Sequence, residues 1–304
     1  MKNKIHVLLL LLLITKLAFS QNRAIDSLKR VLKVSKIDTS RVAIYNNIAN
    51  EFKNINPDST AYYGTKANEL ALKNDFELGQ ATAQINIGNS NIMLSNYTKA
   101  ILNFDKAQKI YTHLLDFDSN NKTLKTGLAR SFASAGVVFS ELNNYTKALE
   151  NYQKALKIYL AIDDTKSISK TYNNIAVVYK SQKNNLKALE YLLKALKIQE
   201  AIGEQTAANT LINIGNIQFD NDNKPLALYY YQKAEKLFLT TDDQRGKALL
   251  NNYLGDYYHS NKENKIANDY YSKSLKLYDE MGNTFGASLV LFNIGICCSL
   301  KFRQ

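Results

Sequence analysis

Apolar and polar positions follow a helical period along this chain, and the helices they predict come in pairs. Residues 173–200, NNIAVVYKSQKNNLKALEYLLKALKIQE, read as two helices around a polar turn, and close copies lie on both sides. A small residue marks the register in each first helix: Ala49, Gly88, Gly136, Ala176, Gly215, Gly255 and Gly295, in steps of 39, 48, 40, 39, 40 and 40. Twelve residues after five of these markers comes an alanine (Ala100, Ala148, Ala188, Ala227, Ala267), and seven further on another small residue (Ala107, Ala155, Ala195, Ala234, Ser274). Between the two sits a large side chain: Phe104, Tyr152, Leu192, Tyr231 or Tyr271. Antiparallel helices approach closely only where side chains are short, and a ring from the neighbour then fills the gap. The pattern therefore predicts an all-α chain of stacked helical hairpins.

The ends depart from it. Residues 24–36, AIDSLKRVLKVSK, put Ile25, Leu28 and Leu32 on one helical face, which predicts an amino-terminal capping helix within residues 21–40 ahead of an array over 41–304. In the first unit the second helix, after Pro57-Asp58-Ser59, runs one residue out of step, and the 48-residue step points to an insertion around residues 117–126. The last unit, ASLVLFNIGICCSL, has the form of a first helix without its partner and is apolar almost all round. Burial on every side is expected of such a helix, through self-association there or through a longer chain.

Gly136 with Phe139, Ala176 with Tyr179, and Ala148 with Tyr152 carry the G-x2-Y and A-x3-F spacing of the tetratricopeptide repeat, which the chain resembles over roughly residues 41–304. The usual tryptophan is missing, as is the helix-breaking proline, and the period is near 40 rather than 34. The resemblance implies a right-handed α-α superhelix of about six hairpins plus terminal helices, with the first helices forming a concave wall. Asn173-Asn174-Ile175-Ala176 is similar to the N-N-I/L-A motif of kinesin-light-chain repeats.

The first twenty residues stand apart from this periodicity. A basic start (MKNK), an apolar run and AFS before Gln21 make an export signal with cleavage after Ser20. The fifteen residues from Ile5 to Phe19 are too few for an ordinary membrane span. The mature chain is thus expected in the periplasm or outside the cell, with a membrane partner only if the chain continues past Gln304. The two cysteines, Cys297 and Cys298, are adjacent and poorly placed for a disulfide, so they are read as small apolar groups.

Two positions of each first helix should face the groove. Two residues before the marker stand Asn47, Asn86, Ser134, Asn174, Asn213, Tyr253 and Asn293; one residue after it stand Asn50, Asn89, Val137, Val177, Asn216, Asp256 and Ile296. Asparagine is a mediocre helix former. Its recurrence in phase suggests amides clamping the N–H and C=O groups of an extended peptide. The peptide-binding candidates are Asn47, Asn50, Asn86, Asn89, Asn174, Asn213, Asn216, Tyr253 and Asn293. Neighbours such as Lys170, Phe219, His259 and Tyr253 would then set side-chain preference.

The formal charge is +12, or +9 without Lys2, Lys4 and Lys16. Lys106, Lys109, Lys154, Lys157, Lys194, Lys197, Lys233, Lys236, Lys273 and Lys276 account for the excess. They lie along an outward edge and read as solvation, without a nucleic-acid partner. His113 and His259 have no companions at metal-ligand spacing, and no nucleophile or phosphate-loop motif occurs. No catalytic residue, metal or cofactor is therefore expected, and the reading is an exported, non-catalytic module that binds a protein or peptide segment. The alternative is the extracytoplasmic sensor region of a signal-transduction protein. DSLKRVLKVSKIDTSRVAIYNNIANEF and NPDSTAYYGTKANELA resemble the exported repeat region of Bacteroidetes sensor proteins. That resemblance implies a histidine kinase or helix-turn-helix output beyond a membrane helix.

Overall fold

The computed structural model describes residues 23–53, 56–203, 207–241, 243–281 and 283–299. Among them there are fourteen α-helices and no strand. The export signal read over residues 1–20 lies outside the described residues. A first helix, α1, covers 23–34; Ile25 is buried, with Leu28 and Leu32 half-buried beside it. Six hairpins follow. They are α2 (Asp38–Phe52) with α3 (Pro57–Lys73), α4 (Glu77–Met93) with α5 (Tyr97–Phe117), and α6 (Lys122–Glu141) with α7 (Tyr145–Ala161). Then come α8 (Thr165–Ser181) with α9 (Asn185–Ile202), α10 (Ala207–Asp220) with α11 (Lys224–Phe238), and α12 (Gln244–Ser260) with α13 (Asn264–Glu280); α14 (Thr284–Ser299) stands last. The chain divides into two compact units, residues 1–174 and 175–304. No described helix is long and apolar enough to cross a membrane.

Seven of the described turns close on a non-glycine residue in the left-handed region. Asp75, Ser95, Asn143, Asp163, Lys183, Asp222 and Lys262 take positive φ, as does Gly203. At each of the first seven, the next residue's N–H reaches back to a carbonyl five residues earlier, as in Asn144 to Phe139 at 2.8 Å and Asn184 to Tyr179 at 2.8 Å. This 6→1 closure satisfies carbonyls that the helix end would leave unpaired. The left-handed residue is the cost of that closure.

Marker and ring sizes are complementary. Gly88 faces Phe104, Gly136 faces Tyr152, Gly215 faces Tyr231 and Gly255 faces Tyr271, each so closely that a Cβ would overlap the ring. Where the marker is Ala176 the filler is the smaller Leu192, and both are buried in the core of the second unit. In the first hairpin the marker is Ala49 and the filler position holds Gly64, one residue early, with Thr60, Ala67 and Ala71 buried in the same shifted register. A second set of slots ties three hairpins to the helix that follows. Rings seven residues beyond the first filler meet a glycine nine residues before the next marker: Tyr111 meets Gly127, Phe238 meets Gly246 and Tyr278 meets Gly286. Sequence periodicity alone did not single out this set.

The 48-residue step is absorbed differently from the expected insertion. α5 has 21 residues and α6 has 20, against 17 in α4 and α7, so the extra residues lengthen two facing helices instead of forming a loop. Cys297 is buried, in keeping with packing as a small apolar group; the side chain of Cys298 lies outside the described residues. α14 is not buried on every side: Leu291 is 54% exposed and Phe292 67%.

Candidate functional site

In the first unit, α4, α6 and α8 bring groove-facing positions together around one open cavity of about 270 Å³, which Lys53, just past the end of α2, also lines. Asn89, Ser134, Val137 and Asn174 line it, as the register of the first helices requires. Ser134 Oγ donates to Asn89 Oδ1 at 3.3 Å. The sequence reading placed Lys170 beside the groove but did not foresee Lys53 and Arg130. Lys53, Arg130 and Lys170 line the same cavity, and among the described residues no acidic side chain does. Burial lowers the Lys53 pKa from its ordinary lysine value, and the charges of Arg130 and Lys170 lower it further. Like charges held together at a partly buried site carry an electrostatic cost, which marks the cluster as a candidate binding site. Tyr159 forms part of the wall, its phenol pushed up to about 12, chiefly by burial, against the opposing Arg130 charge. The missed signal was available: Arg130 and Lys170 each stand six residues before a marker, and Lys53 follows Ala49 by four.

Several amides read as clamps are occupied inside the fold. Asn86 is 0% exposed, and its Nδ2 donates to the Asn46 carbonyl at 3.1 Å and to Asn46 Oδ1 at 3.0 Å. Asn46 Nδ2 in turn donates to the Gly79 carbonyl at 3.1 Å. In the second unit Asn293 repeats the arrangement, donating to Asn252 Oδ1 at 3.1 Å and to Asp256 Oδ1 at 3.2 Å. Asn216 is 4% exposed and accepts from the Tyr231 hydroxyl at 2.7 Å. A buried amide that is already paired gains nothing by leaving its partner for a ligand. Asn86 and Asn216 therefore join neighbouring helices and are not offered to a groove, and Asn293, half-buried, is paired in the same way.

The others stand differently. Asn47 and Asn50 on α2 are exposed, away from the cavity lining. Asn213 on α10 is half-buried. Tyr253 is half-buried and stacks parallel to Tyr231 with centroids 6.4 Å apart. Of the nine candidates, the structure brings together Asn89 and Asn174.

Three of the outward lysines are paired along their own helices. Lys109 pairs with Asp105 at 2.7 Å, Lys194 with Glu190 at 2.6 Å and Lys273 with Asp269 at 2.6 Å. Lys154, Lys194, Lys233 and Lys273 also lie over rings of neighbouring side chains. Such pairs are exposed, weak and salt-screened. Among the described residues no cluster of His, Cys, Asp and Glu could hold a metal ion.

Residues 129–161 and 167–240 match tetratricopeptide repeat models. No curated protein sequence matches the chain. Among solved structures, the apo form of RapI is 17% identical with a TM-score of 0.63, covering 86% of this chain and 99% of that one. A Rap protein complexed with Competence and Sporulation Factor is 15% identical with a TM-score of 0.64, covering 90% and 79% respectively. Aspartyl phosphate phosphatase F from Bacillus subtilis is 16% identical with a TM-score of 0.58, covering 84% and 70%. At these identities the likeness is one of fold.

Proposed function

We propose that this tetratricopeptide-repeat chain is a non-catalytic interaction module whose first unit holds a peptide or protein segment in the trough lined by Asn89, Ser134 and Asn174. The observation that supports the reading is convergence: side chains from successive first helices, 45 and 40 positions apart in sequence, share one open cavity. Asn174 Nδ2 and Oδ1 suit the N–H and C=O groups of an extended backbone. A neighbour of the same fold was solved complexed with a factor, so the architecture is compatible with this work. The test is a pull-down with the mature chain, followed by titration of any retained segment against Asn174→Ala. A loss of affinity of about tenfold, which corresponds to about 1.4 kcal/mol, with the melting temperature unchanged is expected. Unchanged affinity refutes the clamp.

Export and a sensory role rest on residues 1–20 and on the sequence resemblance of the first hairpin. Amino-terminal sequencing of the protein from an envelope fraction checks the first, with Gln21 as the expected first residue. Self-association rests on α14, where a Cβ added at Gly295 would meet nothing within 4 Å, in contrast to the filled slots at Gly215 and Gly255. Light scattering checks it: a monomer that stays monomeric as concentration rises removes the idea.

A further inference from the structure

The three cations of the first-unit cavity ask for a particular counter-charge. Lys53 follows the carboxy-terminal end of α2, Arg130 lies on α6 and Lys170 on α8, so three separate elements each bring one positive charge to a space of about 270 Å³. Among the described residues none of the three has an acidic partner, unlike the paired lysines of the outer edge. One carboxylate would leave two charges uncompensated. A phosphoryl group carries about −1.5 to −2 at neutral pH, has three strong acceptor oxygens, and suits the planar fork of an arginine. Ser134 and Asn174 stand in the same lining as neutral polar groups.

We propose that this cavity is a phosphoryl-binding site, in which Lys53, Arg130 and Lys170 together hold one dianionic phosphate group, with Ser134 and Asn174 beside it. The proposal rests on the trough reading only for what carries the phosphate, a phosphorylated side chain of the bound segment. The lowered Lys53 pKa accords with it: an arriving dianion relieves the repulsion that the empty site sustains.

Inorganic phosphate and O-phosphoserine test this with the intact chain. At matched ionic strength, each is expected to raise the melting temperature above that in chloride or acetate, and to give a saturable heat in calorimetric titration. Arg130→Gln should weaken phosphate binding at least tenfold, and Lys53→Gln with Lys170→Gln should abolish it. Lys154→Gln with Lys157→Gln, on the outer edge, should leave it unchanged. Without phosphate, Lys53→Gln should melt no lower than the parent, because it removes a half-buried, repelled charge. Should Arg130→Gln fail to fold, Arg130→Lys takes its place, with a smaller loss expected from the missing fork. Three results would overturn the proposal: phosphate indistinguishable from chloride, acetate as effective as phosphate, or binding that survives loss of both lysines. Phosphate binding without any retained segment sinks the trough reading alone, and segment binding without a phosphate effect sinks this one alone.

Discussion

Gly215→Ala separates close packing from helix propensity more sharply than any other single change. In isolation the substitution favours the helix by about 0.8–1 kcal/mol. In α10, however, the added Cβ would stand 2.5 Å and 2.7 Å from Tyr231 ring carbons and 3.3 Å from the Ala227 carbonyl oxygen. The ring has little freedom to yield. It is 1% exposed, its hydroxyl is held by Asn216 at 2.7 Å, and Tyr253 stacks on it. Overpacking a core costs about 1–3 kcal/mol, and displacing the hydroxyl from Asn216 about 1–3 kcal/mol more. A net loss of about 1–5 kcal/mol is expected from these opposing terms. Gly295→Ala, where nothing lies within 4 Å, should instead gain about 0.5–1 kcal/mol. Urea unfolding followed by circular dichroism and tyrosine fluorescence measures both, provided the two probes give one transition. The pair Ala176 and Leu192 supplies an internal control, since Gly215→Ala with Tyr231→Leu copies it and should recover part of the loss. If Gly215→Ala proves as stabilising as Gly295→Ala, the slot is not a steric constraint and the account of the repeat fails.

Three other outcomes follow from particular contacts. Asn86→Ala leaves the buried Asn46 Oδ1 without its donor and should cost about 1–3 kcal/mol in the same unfolding assay, while leaving binding in the cavity unchanged. Lys183→Gly and Lys262→Gly relieve left-handed backbone at φ 59° and 64° and should each raise the melting temperature, by about 0.5–1 kcal/mol of stability after the entropy of glycine is counted. Burial raises the Asp256 pKa above 3.8, against the opposing bond donated by the Tyr271 hydroxyl and the charge of His259. The folded state therefore holds this proton more tightly than the unfolded one. The group's contribution is fully present below pH 3.8 and is lost as pH rises through the folded value. Relative to Asp256→Asn, the parent should lose stability across that window, and a parallel dependence in both proteins would contradict the assignment.

The period, the six hairpins, the small markers and the rings that fill them could all be read in the chain. Each is a local matter of which side chains fall on one face and how large they are. The shifted register of the first hairpin was legible for the same reason, as Thr60, Ala67 and Ala71 show. The site was legible only in part. Asn86 and Asn174 occupy the same register, yet one is spent inside and the other lines the cavity. The difference lies one repeat earlier. The position that would receive the amide is Asn46 for Asn86, as Asn252 is for Asn293, but Ala133 for Asn174, and alanine has no side-chain acceptor. Likewise Lys53, Arg130 and Lys170 are ordinary basic residues on three separate elements until stacking brings them around one space. Sequence by itself determined the helices, because their faces are set by neighbours three or four residues away. Only the tertiary structure decided which polar groups remain for a ligand, because that depends on partners some forty residues distant and on the burial that pairs them.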